Sequence, residues 1–162
     1  MIVVTDTSPM NYLIRLGQAE ILPSLFQVVL APLAVRTELS AALKHPEVTS
    51  WALSPPHWIQ WMEIEGQDIR FPKVLGAGER EAIRLAIARK VDVLLIDDLA
   101  GRREAKRQQL PVRGTLAVLL EASLRGLLDF PTEYKRLLDM GFRSSRAVEA
   151  SLFEYFRKER VR

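Results

Sequence analysis

The first nine residues constrain the fold most. Ile2, Val3 and Val4 form a short β-branched run that reads as a buried strand. It stops at Thr5-Asp6-Thr7-Ser8, and Pro9 follows. Ser8 suits an N-cap and Pro9 the first helical position, so a helix is expected to begin there. Asp6 then lies at the carboxyl end of a strand just before a helix, the edge at which open α/β sheets bind ligands. A carboxylate at that place also serves commonly as a plain cap. Its meaning depends on what else the chain sends to the same edge.

The rest of the chain repeats the strand-then-helix pattern. The first helix continues through Asn11 to Leu16 and ends at Gly17; a short one is expected over Ala19 to Phe26. Val28 to Leu30 reads as a strand closed by Ala31-Pro32. A helix follows from about Leu33 to Leu43, with Val35, Leu39 and Leu43 on one face. His45-Pro46 and Pro55-Pro56 bracket an irregular stretch, and Trp58 to Ile64 reads as a strand. After a loop over Asp68 to Gly78, Glu79 to Lys90 is helical. Val91 to Ile96 is a near-continuous apolar run of the kind parallel strands show. Leu99 to Gln109 is a basic helix, Leu110-Pro111-Val112 a brief last strand, and Gly114-Thr115 opens a helix to Leu124 that Gly126 ends. Helices over Thr132 to Met140 and Ser144 to Lys158 complete the chain. In the last of these, Val148, Leu152, Tyr155 and Phe156 fall at helical spacing, as a core or dimer face would. This alternation predicts an α/β fold with a mainly parallel sheet.

Composition narrows the class. At 162 residues and 48% apolar, one domain with a sizeable core is expected. No apolar run nears the roughly 18 residues of a membrane span, and the N-terminus lacks a signal-peptide pattern. With no cysteine there is no disulfide framework and no thiolate metal site, which fits a cytoplasmic setting. The net charge of +3 permits a nucleic-acid partner without demanding one. Two basic clusters stand out: Arg102, Arg103, Lys106 and Arg107, and Arg157, Lys158, Arg160 and Arg162.

Several carboxylates converge on the sheet edge. At about 100° per residue, Glu79 falls within the stripe of Ala82, Ile83 and Ala86, so it points to the sheet while Glu81 points to water. A carboxylate on an apolar stripe needs a partner or a cation, although a first-turn glutamate also interacts well with the helix dipole. Glu38 lies about 60° from Val35 and can reach a crevice beside the sheet, or else pair with Arg36 or Lys44 in solvent. Asp97 and Asp98 end a strand as Asp6 does; one of them is expected to cap the next helix and the other to face the crevice. His45 and His57 have no partner at metal-ligand spacing. An all-oxygen cluster suits Mg²⁺ or Mn²⁺ rather than zinc. Carboxylates this close repel without a cation. A hard divalent ion held there activates water and stabilises a phosphoryl oxyanion, which points to phosphodiester hydrolysis.

These residues bring a family into view. Val3-Val4-Thr5-Asp6-Thr7-Ser8, Val35-Arg36-Thr37-Glu38-Leu39, Gly78-Glu79 through Ala82-Ile83 to Ala86, and Leu94-Leu95-Ile96-Asp97-Asp98 resemble the motifs of PIN-domain ribonucleases. The likeness is to VapC-like toxins of toxin–antitoxin pairs. Gly101-Arg102, Ala105 and Gly114-Thr115 match a prokaryotic branch of them. The resemblance implies a three-layer α/β/α sandwich forming one PIN-like domain over 1–162, with its core at about 1–126 and C-terminal helices over 127–162. It implies Mg²⁺- or Mn²⁺-dependent endonucleolytic cleavage of RNA in the cytoplasm, with Asp6, Glu38, Glu79 and Asp97 as the acids of the metal cluster. Asp98 aligns as an alternative to Asp97, and Ser8 matches a small polar supporting residue. The third acid is glutamate here, where many PIN domains carry aspartate. Arg102, Arg103 and Lys106 would follow the RNA backbone. A cognate antitoxin and a homodimer are the partners the resemblance implies.

Other classes fit less well. A haloacid-dehalogenase-like enzyme with Asp6 as nucleophile needs an aspartate two residues later, where Ser8 stands. A dinucleotide site needs a glycine-rich turn after the first strand, and Asp6-Thr7-Ser8-Pro9 supplies none. The remaining alternative is a catalytically inactive PIN-like module that binds RNA or protein. Trp51, Trp58 and Trp61 read as core or dimer packing, with stacking on bases or binding of a partner helix as the alternatives.

Overall fold

A computed structural model of the chain describes residues 1–66 and 68–161. Gln67 and Arg162, the latter counted above in the C-terminal basic cluster, lie outside the described residues. The chain divides into two compact units, Met1–Gly114 and Thr115–Arg162.

In the first unit the elements run β1 (Ile2–Thr5), α1 (Thr7–Arg15), α2 (Ile21–Leu25), β2 (Val28–Pro32), α3 (Leu33–Ser40), α4 (Pro46–Leu53), β3 (Ile59–Met62), α5 (Ala77–Arg89), β4 (Val93–Leu95), α6 (Leu99–Arg107) and β5 (Val112–Arg113). Among the described residues the strands form one five-stranded sheet in the order β3-β2-β1-β4-β5, parallel at every pairing. With its helices it has the α/β/α sandwich architecture expected from the sequence.

Register sorts the strand residues onto two faces. Val4 stands beside Leu30 and Leu94, and all three pack with Ala82, Ile83 and Ala86 of α5 in one core. Val3 stands beside Val29 and Val93, and these are buried on the other face. Sheets covered on both faces need apolar residues at successive positions, which is why the strands read as unbroken runs. Each fully buried aliphatic side chain contributes about 1.5–3 kcal/mol.

Three local expectations change. Helix α1 starts at Thr7, with Asp6 at its N-cap, rather than with Ser8 as cap and Pro9 first. Pro9 is still within the first turn, where its missing N–H leaves no bond unmade. Helix α3 stops at Ser40, so Leu43 leaves the Val35/Leu39 stripe and is 86% exposed. Helix α4 then opens with Pro46 at its first position. The stretch read as irregular is therefore mostly helix α4, seated by the fully buried Val48 and Ala52 one turn apart.

The second unit holds α7 (Thr115–Leu124), α8 (Phe130–Asp139) and α9 (Arg146–Arg160). Helix α8 starts two residues ahead of the expected Thr132, capped by Asp129, which accepts from the Thr132 amide at 3.1 Å. Phe130, Tyr134, Phe153 and Phe156 form its aromatic cluster. Phe156 is buried, as its place in the α9 stripe predicts, whereas Val148 and Tyr155 are exposed. Among the described residues no helix is long and apolar enough to cross a membrane.

Candidate active site

The strand order places a topological switch between β1 and β4. The chain leaves β1 for β2 on one side, whereas β4 is followed by β5 on the other. At such a point the connections diverge and open a crevice beyond the strands' carboxyl ends. The Asp6 amide donates to the Leu95 carbonyl at 2.9 Å, which sets Asp6 level with the end of β4, where Asp97 follows.

Asp6 is 3% exposed. It occupies the N-cap position of α1, yet its side chain makes no capping bond. Its Oδ1 is buried and accepts no hydrogen bond from the described residues. Burial pushes the Asp6 carboxyl up to about 7; the charges of Glu79, Glu38 and Asp97 push the same way, and the Thr7 backbone amide opposes them. Three of the sequence-predicted acids thus act electrostatically on the fourth.

Glu79 occupies the first turn of α5 and faces this crevice as the helical periodicity predicts. Its Oε2 is likewise buried with no hydrogen-bond donor among the described residues. Burial raises its pKa first, then the charges of Asp98 and Glu38, against a lowering by the Gly76 backbone amide. Gly76 is the N-cap and Glu79 lies three residues on, so this is the backward half of a capping box. The capping contact and the crevice position coexist on different oxygens.

Glu38 reaches the crevice rather than pairing with Arg36 or Lys44. Its Oε1 accepts the Gly78 amide at 2.8 Å, and its Oε2 accepts the Thr7 hydroxyl. The adjacent pair divides its roles as expected. Asp98 is exposed and its Oδ1 caps α6, accepting from Ala100 at 2.9 Å and Gly101 at 3.1 Å. Asp97 is half-buried and its charge acts on Asp6.

Arg102 turns back to the sheet, where Nη1 donates to the Ile96 carbonyl at 3.1 Å. Arg103 and Lys106 are exposed on α6 and are not drawn in among the acids. Ser8 is half-buried. Sequence reasoning missed Thr7 and Gly78 as partners of Glu38. It also missed Tyr12, whose phenol is held above its ordinary pKa by burial and then by the Asp97 charge. The only signal for Tyr12 was its place on the first helix after Asp6.

The donor chemistry fits a hard divalent cation. Two buried carboxylate oxygens lack donors among the described residues, the donor set is entirely oxygen, and burial, reinforced by neighbouring carboxylate charges, raises the pKa of Asp6 and of Glu79. Among the described residues no three His, Asp or Glu side chains already stand as a group that could hold a metal ion.

No curated protein matches the chain. A family model described as a PIN domain matches residues 2–157. That match takes in all five strands and each acid at the crevice, and on this ground the chain belongs to the PIN-domain family.

Proposed function

We propose that this protein is a metal-dependent endoribonuclease that hydrolyses RNA phosphodiester bonds, and that it serves as the cytoplasmic toxin of a type II toxin–antitoxin pair. PIN domains are generally nucleases that use divalent metals. The observation that carries the reading is the pair of buried oxygens, Asp6 Oδ1 and Glu79 Oε2, that lack donors among the described residues at the switch-point crevice. The family match runs through both compact units, which supports treating 1–162 as one PIN-like domain. The antitoxin and the homodimer rest on the resemblance of the motifs.

Asp6, Glu79 and Asp97 would hold Mg²⁺ or Mn²⁺, with Asp98 and Ser8 at the margin of the site. Such an ion, when bound, acidifies a water and neutralises charge on a phosphate oxygen. One of these acids would take the attacking water's proton. The Arg102 guanidinium at the end of β4 meets a non-bridging phosphate oxygen. Arg103 and Lys106, exposed on α6, follow the RNA backbone.

An inactive RNA- or protein-binding module is the second reading. What favours it is that Glu38 and Asp98 spend carboxylate oxygens on backbone amides of the fold. Cleavage of RNA by the purified protein with Mn²⁺ or Mg²⁺, beside Asp6→Asn and an EDTA control, separates the two. Cleavage lost in both controls supports the nuclease. An inert wild type that binds no Mn²⁺ by calorimetry supports the module.

A further inference from the structure

Glu38 spends both carboxylate oxygens on the protein itself. Oε1 takes the Gly78 amide at 2.8 Å, and Oε2 takes the Thr7 hydroxyl. Thr7 follows Asp6 in sequence, and Gly78 precedes Glu79. The two residues Glu38 grips are thus the immediate neighbours of the two acids whose buried oxygens lack donors. One side chain from α3 ties the β1–α1 junction to the first turn of α5.

The local structure is shaped around this contact. Gly78 has no side chain where a Cβ would fall onto Glu38 Oε2 and lie 2.8 Å from Thr7 Oγ1. Gly78 is buried, and its amide is one of the first-turn donors that no helical carbonyl can satisfy. A charged acceptor is the stronger partner for such an amide. With Glu38 in place, Asp6 and Glu79 are held near one another despite their repulsion, which burial intensifies.

We infer that Glu38 is a positioning residue, a clasp between Thr7 and Gly78 that sets the spacing of Asp6 and Glu79, and not itself a ligand of the ion. This departs from the role the family resemblance implies for it. It deepens the nuclease reading and rests on that reading only for its metal-affinity and activity readouts.

The test compares Glu38→Gln, Glu38→Ala, Thr7→Val and Thr7→Ser. Glutamine keeps an acceptor for the Gly78 amide and a polar group for the Thr7 hydroxyl while removing the charge; alanine removes all three. Hydrogen exchange of the Gly78 amide is read in the metal-free protein. Mn²⁺ affinity is read by calorimetry, and kcat and KM on RNA complete the set. The clasp predicts that Glu38→Ala loses about tenfold or more of the Gly78 protection and that Glu38→Gln keeps most of it. It predicts Mn²⁺ binding weakened about 10–100-fold in Glu38→Ala and largely recovered in Glu38→Gln. Thr7→Val lowers kcat more than it raises KM, although every carboxylate remains, and Thr7→Ser restores it. Mn²⁺ affinity as poor in Glu38→Gln as in Glu38→Ala, or Gly78 exchange equal in all variants, overturns the clasp. If the wild type neither binds Mn²⁺ nor cuts RNA, the nuclease reading fails, and Gly78 exchange still decides the clasp by itself.

Discussion

The Arg102 guanidinium donates from Nη1 to the Ile96 carbonyl at 3.1 Å, which brings its charge to the end of β4 beside Asp97. Gly114 makes room for both side chains. A Cβ there would stand 2.8 Å from Arg102 Nη1 and 2.9 Å from Asp97 Oδ1, closer than side chains tolerate. Gly114→Ala is therefore expected to move Asp97 and Arg102 together. Because both have flexible ends, stability falls little, by about 1 kcal/mol, while kcat on RNA falls about tenfold or more through misplacement. Steady-state kinetics beside thermal unfolding checks this. Full activity in a folded Gly114→Ala protein would count against a catalytic place for the pair.

Asp97 and Asp98 are chemically identical neighbours with different work. Asp98 Oδ1 accepts two amides at the start of α6, so Asp98→Ala costs about 1 kcal/mol of stability, as loss of an N-cap does. Asp98→Asn or Asp98→Ser recovers most of it. Asp97→Ala is expected to abolish RNA cleavage in a protein that still folds. Denaturant midpoints set beside cleavage rates separate the two. The reverse pattern would exchange the assignments.

The edge acids were legible because a strand that ends in a carboxylate before a helix has a fixed address in an α/β sheet. Glu79 was legible because 3.6-residue periodicity places it among Ala82, Ile83 and Ala86. The partners of Glu38 were not, since Thr7 lies 31 residues away and Gly78 lies 40. Periodicity says which way a side chain points and nothing about what arrives from elsewhere. Helix α4 is hidden in the sequence because a proline reads equally as a break and as a helix's first position, and Pro46 holds the latter. The start of α1 is set by backbone angles, which composition does not reveal, so Ser8 and Pro9 read as cap and first position where Asp6 and Thr7 hold those places.

The tryptophan segment has a structural account. Trp51 lies 5.9 Å from Trp58 and 6.4 Å from Trp61 between ring centroids. Trp58 Nε1 donates to Glu20 Oε2 at 2.9 Å, and the Arg36 guanidinium lies 5.7 Å over the Trp61 ring. Each ring is only half-exposed and already has aromatic or polar partners. Trp51→Ala is expected to cost about 2–3 kcal/mol, combining lost burial with two aromatic contacts. KM for RNA should stay within about twofold. A tenfold rise in KM at unchanged stability would instead assign these rings to base stacking.

Asp6 should cost the metal-free protein stability at neutral pH. Its folded carboxyl is pushed up to about 7 from an ordinary 3.8. The folded state therefore binds its proton more tightly than the unfolded chain does. The stabilisation this proton gives is complete below about pH 4 and is lost as pH rises towards 7. Above 7 the buried charge must be carried by the fold. Asp6→Asn removes the ionisation, so the variant's advantage over the wild type should grow between pH 4 and 7 and level off above. It should reach on the order of 2–4 kcal/mol. Mn²⁺ should raise the wild-type Tm at pH 8 by more than that of Asp6→Asn, since the variant keeps Glu79 but loses the Asp6 charge from the site. Unfolding curves at pH 5 and pH 8, with EDTA and with Mn²⁺, read both effects together. An Asp6→Asn protein less stable than the wild type at pH 8 would show instead that the carboxylate has a donor that stabilises its charge.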